Sequence, residues 1–260
     1  MNRQKGFFMI KKVLTLTIFI ILILLLFLSC SKKKNVQKAL AHYNQGSEYQ
    51  KKGQIDLAIE ELKKAVELDP GFGEAQNNLG GAYMQKGMLD EAIVHFKRTI
   101  VIDSFFEKGY NNLGGAYVEK GMLEEAIKNF KKAVEVNADY VDGYCGLGRA
   151  YFQQKNVDAS VSAFKKAIAL DEKNFKARYS LAFVYYSQKK LDEALEELKK
   201  ALEINPNAAE VHVSLGLVYQ EKKMSSQAVD EFRKALEIDP NNQLAKANLR
   251  LFPEGGEKEE

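Results

Sequence analysis

The heptapeptide Asn-Asn-Leu-Gly-Gly-Ala-Tyr occurs at residues 77–83 and again at 111–117, an offset of 34 residues. A fixed period of this length constrains a chain strongly, because it means one supersecondary unit built repeatedly rather than a single core closed on itself. Carried in both directions, the period holds without insertion or deletion over six units: 39–72, 73–106, 107–140, 141–174, 175–208 and 209–242. Numbered from the start of a unit, position 8 is small (Gly46, Gly80, Gly114, Gly148, Ala182, Gly216) and position 11 is always Tyr (Tyr49, Tyr83, Tyr117, Tyr151, Tyr185, Tyr219). Position 20 is small (Ala58, Ala92, Ala126, Ser160, Ala194, Ala228) and position 24 is large and apolar (Leu62, Phe96, Phe130, Phe164, Leu198, Phe232). Position 27 is Ala except for Thr99.

Positions 4, 7, 8 and 11 share one face of a first helix, and positions 20, 24 and 27 share one face of a second. Small residues at 8, 20 and 27 let the two helices approach closely around the Tyr and the Phe or Leu. Gly53, Gly87 and Gly121 at position 15 mark the turn between them, and Pro70, Pro206 and Pro240 at position 32 stop the second helix. Lys155, Lys189 and Lys223 replace that glycine in the later units, whose turns are expected to be less permissive. No unit can bury its apolar face alone, so stacking makes the core and the last unit needs a cover. Residues 243–251, with Leu244, Ala247, Leu249 and Leu251, are expected to supply it as a capping helix, and 252–260 to form a disordered Gly- and charge-rich tail.

These positions resemble the tetratricopeptide repeat family over residues 39–242. The resemblance implies an all-α fold, a right-handed superhelical solenoid of antiparallel helix pairs. The departure from the family is at position 4, often a large aromatic there and here His42, Gln76, Tyr110, Tyr144, Arg178 and His212, which predicts looser packing in half the units.

The chain's formal charge of +3 is confined to its start, where Arg3, Lys5, Lys11 and Lys12 stand with no acidic residue before position 30. The remainder is close to neutral, which excludes the basic stripe that nucleic-acid binding needs. Residues 13–28 are uncharged and as a helix would span about 24 Å, short of the ~30 Å of a bilayer's hydrocarbon. Residues 1–29 therefore read as a signal peptide, the other reading being an uncleaved membrane anchor. The run ends at Phe27-Leu28-Ser29-Cys30, which resembles a bacterial lipobox although two of its four positions match only loosely. That resemblance implies an acylated Cys30, a tether over 30–38, and a location in the bacterial cell envelope, facing the periplasm or exterior.

Catalytic and metal chemistry finds no footing. His42 and His212 stand at position 4 and His95 beside Phe96, so no two have a ligand spacing, and all three read as packing or surface residues. The Gly-Gly pairs at 80–81 and 114–115 fall inside helices and precede no Gly-Lys-Ser or Gly-Lys-Thr. Cys145 reads as a semi-buried thiol, with an intermolecular disulfide as the alternative. The expectation is a non-enzymatic chain with no cofactor and no metal.

Binding is expected on the opposite face of the first helices, at positions 2, 6, 9 and 13 flanked by 5 and 12, lined up along a concave groove. Position 6 begins Asn44, Asn78, Asn112, a column resembling the asparagine ladder with which some tetratricopeptide superhelices grip a peptide backbone; each amide offers both a donor and an acceptor. The same asparagines also read simply as solvated surface. The later units offer an apolar stretch instead: Tyr179 and Val213 at position 5, Phe183 and Leu217 at position 9, Phe152 and Tyr186 at position 12. The expectation is a membrane-anchored scaffold holding an extended polypeptide or partner subunit in envelope assembly, similar to pilotin lipoproteins. The alternative is a regulatory or recruiting subunit for an envelope enzyme such as a peptidoglycan hydrolase.

Overall fold

The computed structural model describes residues 32–252; the expectations for Cys30, the signal segment and residues 253–260 lie outside the described residues. The described residues are helices joined by short turns with no strand, and the chain divides into two compact units after Phe105. The first unit holds α1 (residues 32–51), α2 (Ile55–Leu68), α3 (Gly73–Gln85) and α4 (Leu89–Ile102). The second unit runs α5 (Glu107–Glu119), α6 (Leu123–Val136), α7 (Val141–Gln153), α8 (Val157–Leu170), α9 (Phe175–Ser187), α10 (Leu191–Ile204), α11 (Ala209–Glu221), α12 (Ser225–Ile238) and α13 (Gln243–Leu249). From the second repeat on, every first helix occupies positions 1–13 and every second helix positions 17–30, so the 34-residue period is carried by the backbone as well as by the residues.

The close approach within a helix pair is visible at position 8. A Cβ placed on Gly80, Gly114, Gly148 or Gly216 would sit 2.5–2.8 Å from the ring of Phe96, Phe130, Phe164 or Phe232, inside any tolerable contact. The fifth repeat couples the other pair of sizes, Ala182 with Leu198, both buried. Ser160 and Thr99 keep their small-residue positions because their hydroxyls are satisfied. Ser160 Oγ donates to the Gly148 carbonyl at 2.8 Å and Thr99 Oγ1 to the His95 carbonyl at 3.1 Å.

Position 4 is not loosely packed. It is bonded to position 23 of the same repeat, across the helix pair: His42 Nδ1 lies 2.6 Å from Glu61 Oε2, His212 Nδ1 2.6 Å from Glu231 Oε2, and Arg178 donates to Glu197 Oε2 at 2.9 Å. In the second repeat the chemistry is reversed, with His95 Nδ1 2.7 Å from Gln76 Oε1. Burial above all, then Arg98 and Lys63, push the His95 imidazole down to about 4, so it is neutral near pH 7 and donates its Nδ1–H to the amide oxygen. Where position 4 is aromatic, Tyr110 and Tyr144, position 23 is Asn129 or Ala163. A short polar bridge thus stands in for aromatic bulk.

The turns also differ from expectation. Lys155, Lys189 and Lys223 adopt φ of 64°, 59° and 61°, the same left-handed turn as Gly53, Gly87 and Gly121, so the later turns keep the glycine geometry at a backbone cost of ~1–2 kcal/mol each. Proline is not the common stop of the second helix either. Position 31 is Asp or Asn in all six repeats, and in each its side-chain oxygen accepts the backbone N–H two residues on: Asp69 from Gly71, Asp103 from Phe105, Asn137 from Asp139, Asp171 from Lys173, Asn205 from Asn207 and Asp239 from Asn241. This Asx turn offers the chain a local alternative to another helical turn whether or not proline follows.

The cap is phased differently from its expected face. Ala245, Asn248, Leu249 and Phe252 turn inward against the cluster of Phe232 and Ala235, whereas Leu244, Ala247 and Leu251 are exposed. The inward residues follow the i, i+3, i+4, i+7 spacing of a helix, which the apolar residues alone did not reveal because one inward residue is an amide. Asn248 Nδ2 donates to the Leu244 carbonyl at 2.8 Å, which gives the nitrogen of this buried amide a partner. Phe252, expected to open the tail, packs as part of the cap.

The bridge between positions 4 and 23 makes a definite prediction. Arg178 and Glu197 have side chains only 13% exposed, so Glu197→Ala should cost about 3 kcal/mol by stranding the guanidinium. Arg178→Tyr combined with Glu197→Ala, the pair found at Tyr144 and Ala163, should recover most of that loss in urea denaturation. If the double variant is no more stable than Glu197→Ala, the two positions are not alternative solutions to one packing problem.

Candidate functional site

In the second unit α7, α9 and α11, the first helices of the fourth, fifth and sixth repeats, present their outer faces beside one another. Their second helices hold the opposite faces in the core cluster of Phe164, Leu198, Ala182 and Leu215. A cavity of about 250 Å³ opens on the outer side, lined by Tyr179, Ala182, Phe183 and Tyr186 of α9, Glu210, Val213, Ser214, Leu217 and Val218 of α11, Leu198 of α10, and Asn242 and Leu244 at the cap. Five residues anticipated for the apolar part of the groove, Tyr179, Phe183, Tyr186, Val213 and Leu217, are therefore brought together.

Their burial separates floor from rim. Phe183 is 55% exposed, so its ring stands at the surface and is not an inter-repeat core residue. Val213 is only 4% exposed and forms the floor, packed with Ala228 and Phe232. The Phe152 and Phe183 rings meet edge to face with centroids 5.5 Å apart, the arrangement aromatic quadrupoles prefer. Tyr179 Oη lies 3.2 Å from Ser214 Oγ, tying α9 to α11, and Ser214 Oγ also reaches the Glu210 carbonyl at 2.9 Å. Tyr186 is held from the solvent side. The Lys189 ammonium lies 5.7 Å from its ring centroid and 2.8 Å from Glu221 Oε2, and burial, with Glu221 nearby, pushes the phenol up.

The asparagines are not assembled with these residues. Asn44 and Asn78 belong to the first unit and Asn112 to the second. Asn44 is exposed, while Asn78 is half-buried and its Nδ2 donates to Ser47 Oγ of the preceding repeat at 3.1 Å. Its backbone carbonyl accepts from Gln50 at 3.3 Å. Asn112 is half-buried and has a partner of its own. The Gly146 that continues the column lies against the Phe130 ring with no room for a Cβ. Position 6 is thus partly an inter-repeat stitch rather than a free groove-facing donor and acceptor, because a neighbouring first helix lies within hydrogen-bond reach of it.

Three further lining residues obey the same position rule. Glu210 and Ser214 sit at positions 2 and 6, on the face already assigned to the groove, and Leu244 occupies position 2 of the partial seventh unit. Extending the position rule one unit further finds all three. Among the described residues no group of three His, Cys, Asp or Glu could hold a metal ion. Burial, then Asp142, pushes the Cys145 thiol up to about 11, which keeps it protonated and unreactive at neutral pH.

Comparison with known proteins places this architecture. Residues 46–87, 114–155, 148–189 and 184–223 match the family described as TPR repeat, and 73–103 and 209–242 match the family described as Tetratricopeptide repeat. The chain belongs to the tetratricopeptide repeat family. Proteins of this fold are generally non-catalytic scaffolds that bind other proteins. Among solved structures, MamA is similar at 32% identity with a TM-score of 0.57, over 65% of this chain and 97% of that one. PilF of Pseudomonas aeruginosa aligns with a TM-score of 0.71 and 17% identity, over 84% of this chain and 99% of that one. YrrB, described as a TPR protein with an unusual peptide-binding site, aligns with a TM-score of 0.56 and 24% identity, over 73% of this chain and 97% of that one. At these identities PilF and YrrB show the fold alone. No curated protein matches the sequence.

Because the cap contributes both a cavity wall and the cover on Phe232, deleting residues 243–252 should lower the stability of the second unit by about 2–4 kcal/mol, the worth of one to two buried apolar side chains. It should also reduce solubility. A truncated chain as soluble and stable as the parent would remove the capping role from α13.

Proposed function

We propose that this tetratricopeptide repeat chain is a membrane-tethered, non-catalytic scaffold that holds an extended segment of a partner protein in the aromatic cavity of its second unit. The observation that carries the proposal is Phe183, a large apolar side chain left 55% exposed at the rim of a cavity whose floor is already closed by Val213 and Leu198. A folded core has no use for a ring in that position, whereas a partner's side chain buried against it would gain ~1.5–3 kcal/mol. Two or three such contacts supply ~3–9 kcal/mol before the association cost, so a micromolar complex, ~8 kcal/mol, also needs polar contacts to the partner. The description of YrrB as having a peptide-binding site supports a peptide as the ligand class.

Tethering is supported by the chain's own N-terminal order: four basic residues, the uncharged run 13–28, then Cys30 and the polar stretch Ser31-Lys32-Lys33-Lys34-Asn35. No helix among the described residues is long and apolar enough to cross a membrane, so a tether falls to the segment before them. Acylation at Cys30 would hold the repeats at the envelope membrane, where the partner would be an envelope protein under assembly.

Both halves are testable. Phe183→Ala should reduce partner capture from solubilised membranes at least tenfold while costing well under the ~3–5 kcal/mol of a core Phe. Capture equal to the parent's would place the partner elsewhere on the surface. For the tether, intact mass spectrometry of the mature protein should find residues 1–29 removed and acyl chains on Cys30. A terminus at unmodified Met1 would replace lipidation with an uncleaved anchor.

A further inference from the structure

The two most exposed large apolar side chains among the described residues are Val101 and Phe105, at 83% and 80%, and neither lines the aromatic cavity. They stand at positions 29 and 33 of the second repeat, where α4 ends. Elsewhere position 29 is Glu in four repeats and Ala169 in the other, and position 33 is Gly, Asp, Lys or Asn. Val94, also exposed, stands one heptad earlier at position 22, where the other repeats carry Glu, Lys, Ser or Asp. The repeat architecture thus asks for no apolar side chain at these places, and the second repeat alone supplies three. We infer that this end of the first unit docks on an anionic lipid bilayer, with Val101 and Phe105 entering the headgroup layer beside the basic start of α1. The inference rests on the tethering proposed above and adds to it a contact surface.

The chain order brings the two features to one end. Turns of three or four residues join α1 to α4, so the helices run alternately up and down, and the start of α1 shares an end of the unit with the finish of α4. α1 begins at residue 32, seven residues before the first repeat, so most of the stretch expected as a tether is helix and projects about 10 Å past that end. It carries Lys32, Lys33, Lys34 and Lys38 with Val36, all exposed, and no acidic residue precedes Glu48. Basic and apolar side chains together suit a headgroup layer, because ammonium groups are drawn to lipid phosphates while apolar groups reach the acyl boundary. The carboxylates nearest this end, Glu67, Asp69, Glu74 and Asp103, are set back from the first turn of α1 by its projection. Asp69 and Asp103 also accept the backbone N–H of Gly71 and Phe105.

Reach selects lipid as the occupant. Only residues 29–31 separate the apolar run from α1, about 14 Å of chain at full extension. A chain held by an acylated Cys30, or by the run itself, therefore keeps the first turn of α1 at the bilayer surface. Lipid is then the surface nearest to the exposed end of α4. α1 meets it inclined, so that its basic turns and Phe105 touch together.

The chain contains no tryptophan, so Phe105→Trp gives the full-length protein a single reporter at the proposed contact. Asn207→Trp, at the exposed position 33 of the fifth repeat, is the control. Each variant is reconstituted into phosphatidylcholine vesicles containing phosphatidylglycerol, with or without bromine near the top of the acyl chains, and recovered by flotation. Bromolipid should quench the Phe105→Trp emission at least fivefold more than that of Asn207→Trp. Changing Lys32, Lys33 and Lys34 together to Gln should reduce this quenching at least twofold. Absent or equal quenching in a chain that still floats would overturn the docking and leave the tether standing. Quenching indifferent to the lysine changes would overturn the anionic part of the surface. An emission untouched by bromolipid yet shielded from acrylamide would give the stripe to a protein neighbour and overturn the inference. Failure of the chain to float would overturn the tether and the docking together.

Discussion

The contact on which the rest depends is an aromatic ring lying on bare backbone. Phe96, Phe130, Phe164 and Phe232 occupy the space a Cβ would need at Gly80, Gly114, Gly148 and Gly216. A ring this close fixes the separation of the two helices in a pair, and that separation fixes how the next pair can lie against them. The fifth repeat has Leu198 where four others have Phe, with Ala182 facing it, and both of those residues line the cavity beside α9.

The period, the helix pairs and the small and large positions were legible in the sequence because each rests on a side chain's size at a fixed spacing. The apolar part of the candidate site was legible for the same reason: Phe183 and Leu217 stand at position 9, which holds Ser47, Gly81, Gly115 and Arg149 in the four earlier repeats. What escaped depends on pairing across space. His42 and Gln76 look like weak members of an aromatic column until Glu61 and His95 are seen opposite them, nineteen residues on. Asn78 looks like a free amide until Ser47 is brought within reach from another helix. The cap's phase was hidden because Asn248 is buried through a bond to its own backbone, which hydrophobicity cannot register.

Position 31 is a different case. Asp or Asn stands there in every repeat, a regularity as strict as the tyrosine at position 11, yet it carries no apolar signal and was overshadowed by the three prolines beside it. The lysines at position 15 went the other way: a residue type argued against a conformation that the surrounding turn nevertheless imposes, as happens when tertiary geometry over-determines a backbone dihedral.

The bridges between positions 4 and 23 have a consequence for how such a chain finds its own partners. Six near-copies of one helix pair invite errors in which a first helix docks on a second helix from the wrong repeat, since the ring, the glycine and the alanines fit almost anywhere. The bridges are only partly interchangeable. Arg178 docked against His95 would bury a cation beside an imidazole already crowded by Arg98, and Gln76 docked against Ala163 would leave its amide without a partner. Glu61, Glu197 and Glu231 could each accept a histidine or Arg178, whereas the Gln76–His95 pair fits none of them, so the penalty falls on swaps between these two kinds of bridge.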